Sequence, residues 1–217
     1  LEQQAQDLIV KTLAEVGPVN ARQLIDLCRA GQNLTELPVA TRCEGVAPAE
    51  PNTWTDGTKT SPQSPDWSLA GFGVWHPRRM QPEITLHERT FGNPVAIQRT
   101  TDRLAMGGAL AGVFTTSTRS KIVGGLQGLL SPMPFHIASD STAFVDRMNF
   151  IINHLGYVPK RPWSITVDGD LWQAIATSVA NKREQAVAAS WVRGRATLKH
   201  VTLGEASSTS IINNEVA

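Results

Sequence analysis

TTSTRSKIVGGLQGLL (residues 115–130) is the stretch on which the fold turns. From residue 117 onward Ile122, Val123, Leu126, Leu129 and Leu130 recur at three- and four-residue intervals, so they share one face of a helix. Gly124, Gly125 and Gly128 interrupt that run, each costing about 1 kcal/mol against alanine. Such a cost suits a helix that must lie close on a sheet. Upstream, TWTDGTKT (53–60) and LAGFGVWH (69–76) read as strands on either side of the loop SPQSPDWS (61–68). A polar, Pro-containing excursion (77–94) follows, and the region from Arg103 to Thr116, ending in ALAGVFTT, reads as a third strand. Downstream, PFHIASD (134–140) is a short buried strand. Phe144, Val145, Met148, Ile151 and Ile152 mark a helix to about His154. LWQAIATSVANK (171–182) is another helix, and AVAASWVRG (186–194) a last strand. With a final helix expected near Asn213, the order is βββαβαβα: a mixed α/β domain with a five-stranded mixed sheet flanked by helices.

The sheet-forming region is expected over residues 52–217. Residues 1–34 read as a separate helical extension. Ala5, Leu8, Ile9, Leu13 and Val16 recur at helical spacing until Gly17-Pro18, and Asn20 caps a second helix carrying Leu24, Ile25 and Leu27. Residues 1–30 are therefore the candidate surface for a protein partner. The Pro/Ala/Glu-rich residues 35–51 read as a linker. At 217 residues, 41% hydrophobic and 18% charged with a formal net charge of +1, the chain can bury a core and is no polycation. Any nucleic-acid contact must come from a local patch. Cys28 and Cys43 have neither CxxC spacing nor a nearby histidine pair, so they read as reduced thiols of an intracellular protein. No apolar run reaches the roughly 18 residues a membrane span needs. The chain begins at Leu1 rather than methionine, which reads as a fragment or a processed form.

Several stretches, in order and at the right intervals, resemble the type 1 ribonuclease H domain over about residues 50–217. They resemble more closely the version carried by LINE-like retroelements. TWTDGTKT resembles the family's first strand with its Asp-Gly turn, and AGFGVW the second. STRSKIVGGLQGLL sits where the family has a Thr/Asn-x-Arg-x-Glu-Leu helix start, and HIASDSTAFV resembles the strand carrying the third-position aspartate. KRPWSITVDGDLW (160–172), WVRGRAT (191–197) and NNEVA (213–217) resemble the retroelement version. The resemblance implies two divalent ions, Mg²⁺ or Mn²⁺, about 3.5–4 Å apart on a carboxylate cluster, cutting the RNA strand of RNA/DNA hybrids. Asp56 and Asp140 are the two matching metal ligands.

The rest of the pattern departs. Lys121 stands at the glutamate position, and Arg195 at that of a histidine in the loop after the last strand. The final family aspartate would follow NNEVA, and the sequence stops at Ala217, one position short, which reads as truncation. A second register through TTDRLAMGGALAG (100–112) would put Ala105 at the glutamate position. It leaves 35 positions to Asp140 against 19 from Lys121, too many for one helix and a turn. Neither register supplies a glutamate.

Alone, Asp56-Gly57 reads as a turn and Ser139-Asp140-Ser141 as a helix cap. Their joint placement makes them a relic metal site. An ammonium about 4 Å from either aspartate gains roughly 4 kcal/mol at an effective dielectric of 20, before desolvation. Lys121 is therefore expected to neutralise the aspartates from within. Asp168 and Asp170 read as acids available for a metal, but Asp170 is expected rather to cap the helix at Leu171, and His200, which could replace the loop histidine, is expected rather to be an ordinary surface residue. Arg193, Arg195 and Lys199 form the basic group best placed to hold a phosphate.

The leading functional expectation is a catalytically degenerate ribonuclease H-like domain of retroelement origin. It would need no cofactor and would bind RNA or act as a scaffold in a larger assembly. The alternative is an active hybrid-cutting nuclease on Asp56 and Asp140, with Asp102 or Glu88 replacing the glutamate. A third reading is a structural protein with no nucleic-acid contact.

Overall fold

The computed structural model describes residues 37–60, 69–81, 83–91, 94–110, 116–203 and 206–208. Leu37–Ala217 is one compact unit. The helices expected in residues 1–30 and near Asn213, and the loop 61–68, lie outside the described residues. The sheet has six strands: β1 (Thr53–Thr60), β2 (Leu69–His76), β3 (Val95–Arg99), β4 (Leu104–Leu110), β5 (Phe135–Ser139) and β6 (Val187–Trp191). Their order is β3-β4-β2-β1-β5-β6. The β3–β4, β4–β2 and β2–β1 pairs are antiparallel, and β1–β5 and β5–β6 are parallel. This is the mixed α/β, ribonuclease H-like architecture expected from the sequence, with one strand more than the five expected. The added strand is VAIQR, at the edge. Its alternation is too short to stand out, Val95 and Ile97 both face solvent, and the pairing shifts between Ala96 and Gln98.

Five α-helices are described: α1 (Leu86–Arg89), α2 (Ser117–Leu129), α3 (Thr142–Asn153), α4 (Gly169–Lys182) and α5 (Leu198–Thr202). α2 starts where Thr116 accepts the Arg119 amide, and α3 where Ser141 accepts the Phe144 amide. The apolar stripe of α2, with Ile122, Leu126 and Leu129 fully buried, meets Phe72, Val74 and Met106 of the sheet and Phe144, Met148, Ile175 and Val179 of α3 and α4 in one core. Trp54, Trp75, Ala105 and Ala138 form a second cluster. The glycine pattern of α2 is a close approach: a β-carbon on Gly128 would lie 2.8 Å from the Phe135 ring, and one on Gly124 would collide with the Thr55 hydroxyl. With α2 beginning at Ser117 and Ala105 on β4, the helix register through Lys121 is the one realised.

Residues 37–52 cross this unit as an irregular strap. The Val39 carbonyl bonds His87, and the Ala40 amide donates to Ser178 Oγ at 2.9 Å. The Ala47 amide donates to the Gln185 carbonyl, and His136 bonds the Pro48 carbonyl at 2.7 Å. Near α1 a polar cluster is sealed from solvent. Arg79 donates to both carboxylate oxygens of Glu88 at 2.7 Å each, and Glu88 also receives the Thr85 amide in a capping box that starts α1. Burial pushes the Glu88 carboxyl up, and the Arg79 hydrogen bonds and charge outweigh it, leaving the pKa below the ordinary value. His76, at the end of β2, holds Thr53 Oγ1 at 3.0 Å. Burial, then the Arg79 charge, lowers its pKa to about 3, so it is neutral.

Candidate functional site: a lysine between two aspartates

The pairing Trp54↔Ala138 between parallel β1 and β5, continued by two residues, sets Asp56 level with Asp140. Asp140 follows the last residue of β5, where the chain turns into α3. Lys121 projects from the first turn and a half of α2, and its first turn is drawn onto β1 at Gly57. A β-carbon on Gly57 would lie 2.6 Å from the Lys121 amide nitrogen and closer still to Ser120 Oγ. Nζ of Lys121 lies 3.1 Å from Asp56 Oδ1 and donates a short hydrogen bond to Asp140 Oδ1. The lysine side chain is 16% exposed, against 42% for Asp56 and 25% for Asp140. Burial pulls its pKa down, but the Asp140 hydrogen bond and the Asp56 charge outweigh that and hold it above the ordinary lysine value.

The three residues singled out in sequence therefore meet, and the donor set does not suit a divalent ion. An ammonium lies between the two carboxylates and binds both. Among the described residues no group of three histidine, cysteine, aspartate or glutamate side chains converges on a metal position. The acids proposed to replace the missing glutamate are engaged elsewhere. Glu88 is sealed against Arg79, and Asp102 sits at the β3–β4 turn beside Thr100 and Arg103.

The loop after β6 starts at the same place. Trp191 Nε1 donates to the Asp140 carbonyl at 3.1 Å, and the Val192 amide to the Ser139 carbonyl at 3.0 Å. Gly194 lies so close that a β-carbon there would sit 2.5 Å from Asp140 Oδ2. This sets Arg193, half-buried, and Arg195, exposed, on the loop that flanks the aspartates, with Lys199 exposed in the first turn of α5. Arg195 adopts a left-handed backbone (φ 51°), which asparagine and glycine accept more readily. His200 does not face the acids: its Nδ1 accepts the Thr197 amide at 2.9 Å and closes the start of α5.

Asp170 does not cap α4. It joins Asp168 in holding Arg119, whose two nitrogens reach Asp170 at 3.0 and 2.6 Å, while Asp168 Oδ1 is 2.9 Å from Nη1. The helix starts two residues earlier than expected, at Gly169, so Asp168 holds the N-cap position and Asp170 lies within the first turn. Burial pushes the Asp170 carboxyl up, and the Arg119 bonds bring it below its ordinary value. Sequence reading named Arg119 only as part of the helix-start pattern. The partner acids, some fifty positions away, carried no local signal.

No protein-family model matches the chain, and no curated protein matches it. Solved structures similar to it include the foamy viral protease-reverse transcriptase in complex with an RNA/DNA hybrid, at 15% identity and a TM-score of 0.45 over 85% of this chain. The chain spans 21% of the length of that structure. Another is the PFV RNase H domain, at 17% identity and a TM-score of 0.44 over 76% of this chain and 90% of that one. A type 1 RNase H with the type 2 active-site motif is 16% identical, with a TM-score of 0.39 over 75% of this chain and 67% of that one. The order of strands and helices, rather than these values, carries the fold.

Proposed function

We propose that this chain is a ribonuclease H-like domain of retroelement origin in which Lys121 has replaced the metal ions, and that it binds RNA or RNA/DNA hybrid without cutting it. The observation that carries this reading is the Lys121 ammonium set between Asp56 and Asp140. An internal cation neutralises half of the charge that attracts Mg²⁺ and repels any ion that approaches. The neighbouring loop supports the binding half of the reading. Arg195 and Lys199 are exposed cations on and just after the loop that flanks the aspartates, and the guanidinium suits a phosphate held by two hydrogen bonds. The LINE-like affinity rests on the quoted stretches 160–172 and 191–197.

The test is cleavage of a labelled RNA/DNA hybrid in Mg²⁺ and Mn²⁺ by the intact protein and by Lys121→Glu. Silence from the unaltered protein, with activity gained by the variant, is the expected outcome. Metal-dependent cutting by the unaltered protein would overturn the reading and make Asp56 and Asp140 catalytic ligands. In parallel, hybrid affinity should fall with salt, with Arg195→Ala and Lys199→Ala each weakening it and flattening the salt slope by about one unit. No binding at low salt would leave an assembly role, with residues 1–30 as the docking element.

A further inference from the structure

Lys182, the last residue of α4, is fully buried, yet no carboxylate pairs with it among the described residues. Its Nζ donates to the carbonyls of Ser131 at 2.6 Å and Met133 at 2.8 Å, which ties the loop after α2. Its third neighbour is the sulfur of Cys43, on the strap, at 3.8 Å. Cys43 in turn donates its thiol toward the Lys182 carbonyl at 4.0 Å and is 6% exposed. Ser131 Oγ, on the residue whose carbonyl holds Nζ, is buried with no hydrogen-bond partner. Burial pulls the Lys182 pKa down, which favours an amine carrying a free electron pair. Two loop carbonyls explain a structural lysine. They do not explain why a thiol completes its surroundings.

We propose that Cys43 and Lys182 are an oxidation site, in which a peroxide links Sγ to Nζ and fastens the strap to the end of α4. In the first step Sγ attacks one peroxide oxygen, the O–O bond breaks, and the thiol becomes a sulfenic acid with release of water. In the second, the Nζ electron pair attacks the sulfenic sulfur, the S–O bond breaks, and hydroxide leaves as water with a proton from nitrogen. The pair loses two hydrogens in all, and the product is a sulfenamide, the known fate of a sulfenic acid beside a nitrogen nucleophile. Because the strap is irregular backbone, local opening gives a small oxidant access without unfolding the sheet. A thiol reductant attacks the S–N bond and restores both side chains.

The test is peptide mapping by mass spectrometry of the intact protein after hydrogen peroxide, without reductant during digestion, beside Cys28→Ser and Cys43→Ser. Met80, 99% exposed, reports through its own oxidation that the dose was sufficient. The expected result is a linked Cys43–Lys182 peptide lacking two hydrogens, undiminished in Cys28→Ser, lost in Cys43→Ser and reversed by dithiothreitol. Three results would overturn the proposal: Cys43 oxidised to sulfinic acid with Lys182 unlinked, a Cys28–Cys43 disulfide in its place, or Cys43 unchanged while Met80 is oxidised.

Discussion

At the scale of single residues, one lysine organises the site. Lys121 is stabilised as a cation by two carboxylates, so Lys121→Met leaves Asp56 and Asp140 facing each other uncompensated. The loss should be about 1–3 kcal/mol, held down by the solvent that reaches Asp56, and denaturant unfolding at neutral pH measures it. The sign of the pH effect follows from the raised folded-state pKa. The lysine's contribution is complete below the unfolded value of about 10.4 and is lost as pH rises through the higher folded value. The unaltered protein should therefore lose stability above about pH 10.4 more steeply than Lys121→Met does. Asp56, Lys121 and Asp140 were all legible in the sequence, because each belongs to a local pattern whose spacing survives without the structure. The ion pairs of Arg119 with Asp168 and Asp170 were not, since nothing local joins positions so distant.

At the scale of elements, the site depends on how closely α2 lies on β1. Gly57→Ala sets a methyl group against Ser120 and Lys121, and the start of the helix must lift from the strand. An overpacked contact of this kind costs about 1–3 kcal/mol. Thermal melting should show that loss, and in the Lys121→Glu background the same change should blunt any stabilisation by Mg²⁺ or Mn²⁺. The glycine pattern of 117–130 announced this contact in the sequence, as the apolar spacing announced α2, α3 and α4. The pieces that escaped were short. LHER makes a single turn held by the Thr85–Glu88 capping box, and VAIQR is an edge strand of five residues with its apolar side chains outward. Elements of that length take their conformation from neighbours rather than from their own periodicity.

At the scale of the whole molecule, the sealed histidine should shape acid stability. An unfolded His76 takes up a proton near pH 6.5, whereas the folded one remains neutral until about 3. Between those values the unfolded state holds the extra proton, so stability falls as pH drops, by up to about 1.4 kcal/mol per pH unit. Glu88, held below its ordinary pKa, adds a further loss once pH falls past the usual carboxylate range. The His76 ring resonances should show no titration between pH 7 and 4, while denaturant midpoints decline across the same interval. A ring that titrates near 6.5 would remove the basis for this slope. The strap carries a different consequence, a mechanical one. Its anchors follow one another along the chain, from Val39 and Ala40 through Cys43 to Ala47 and Pro48. A pull applied at Leu37 would load them in turn, as in peeling tape, whereas the sheet's pairings would yield only afterwards. Under tension the strap would pay out length at low force before the core felt any load, giving whatever is tethered upstream a built-in shock absorber.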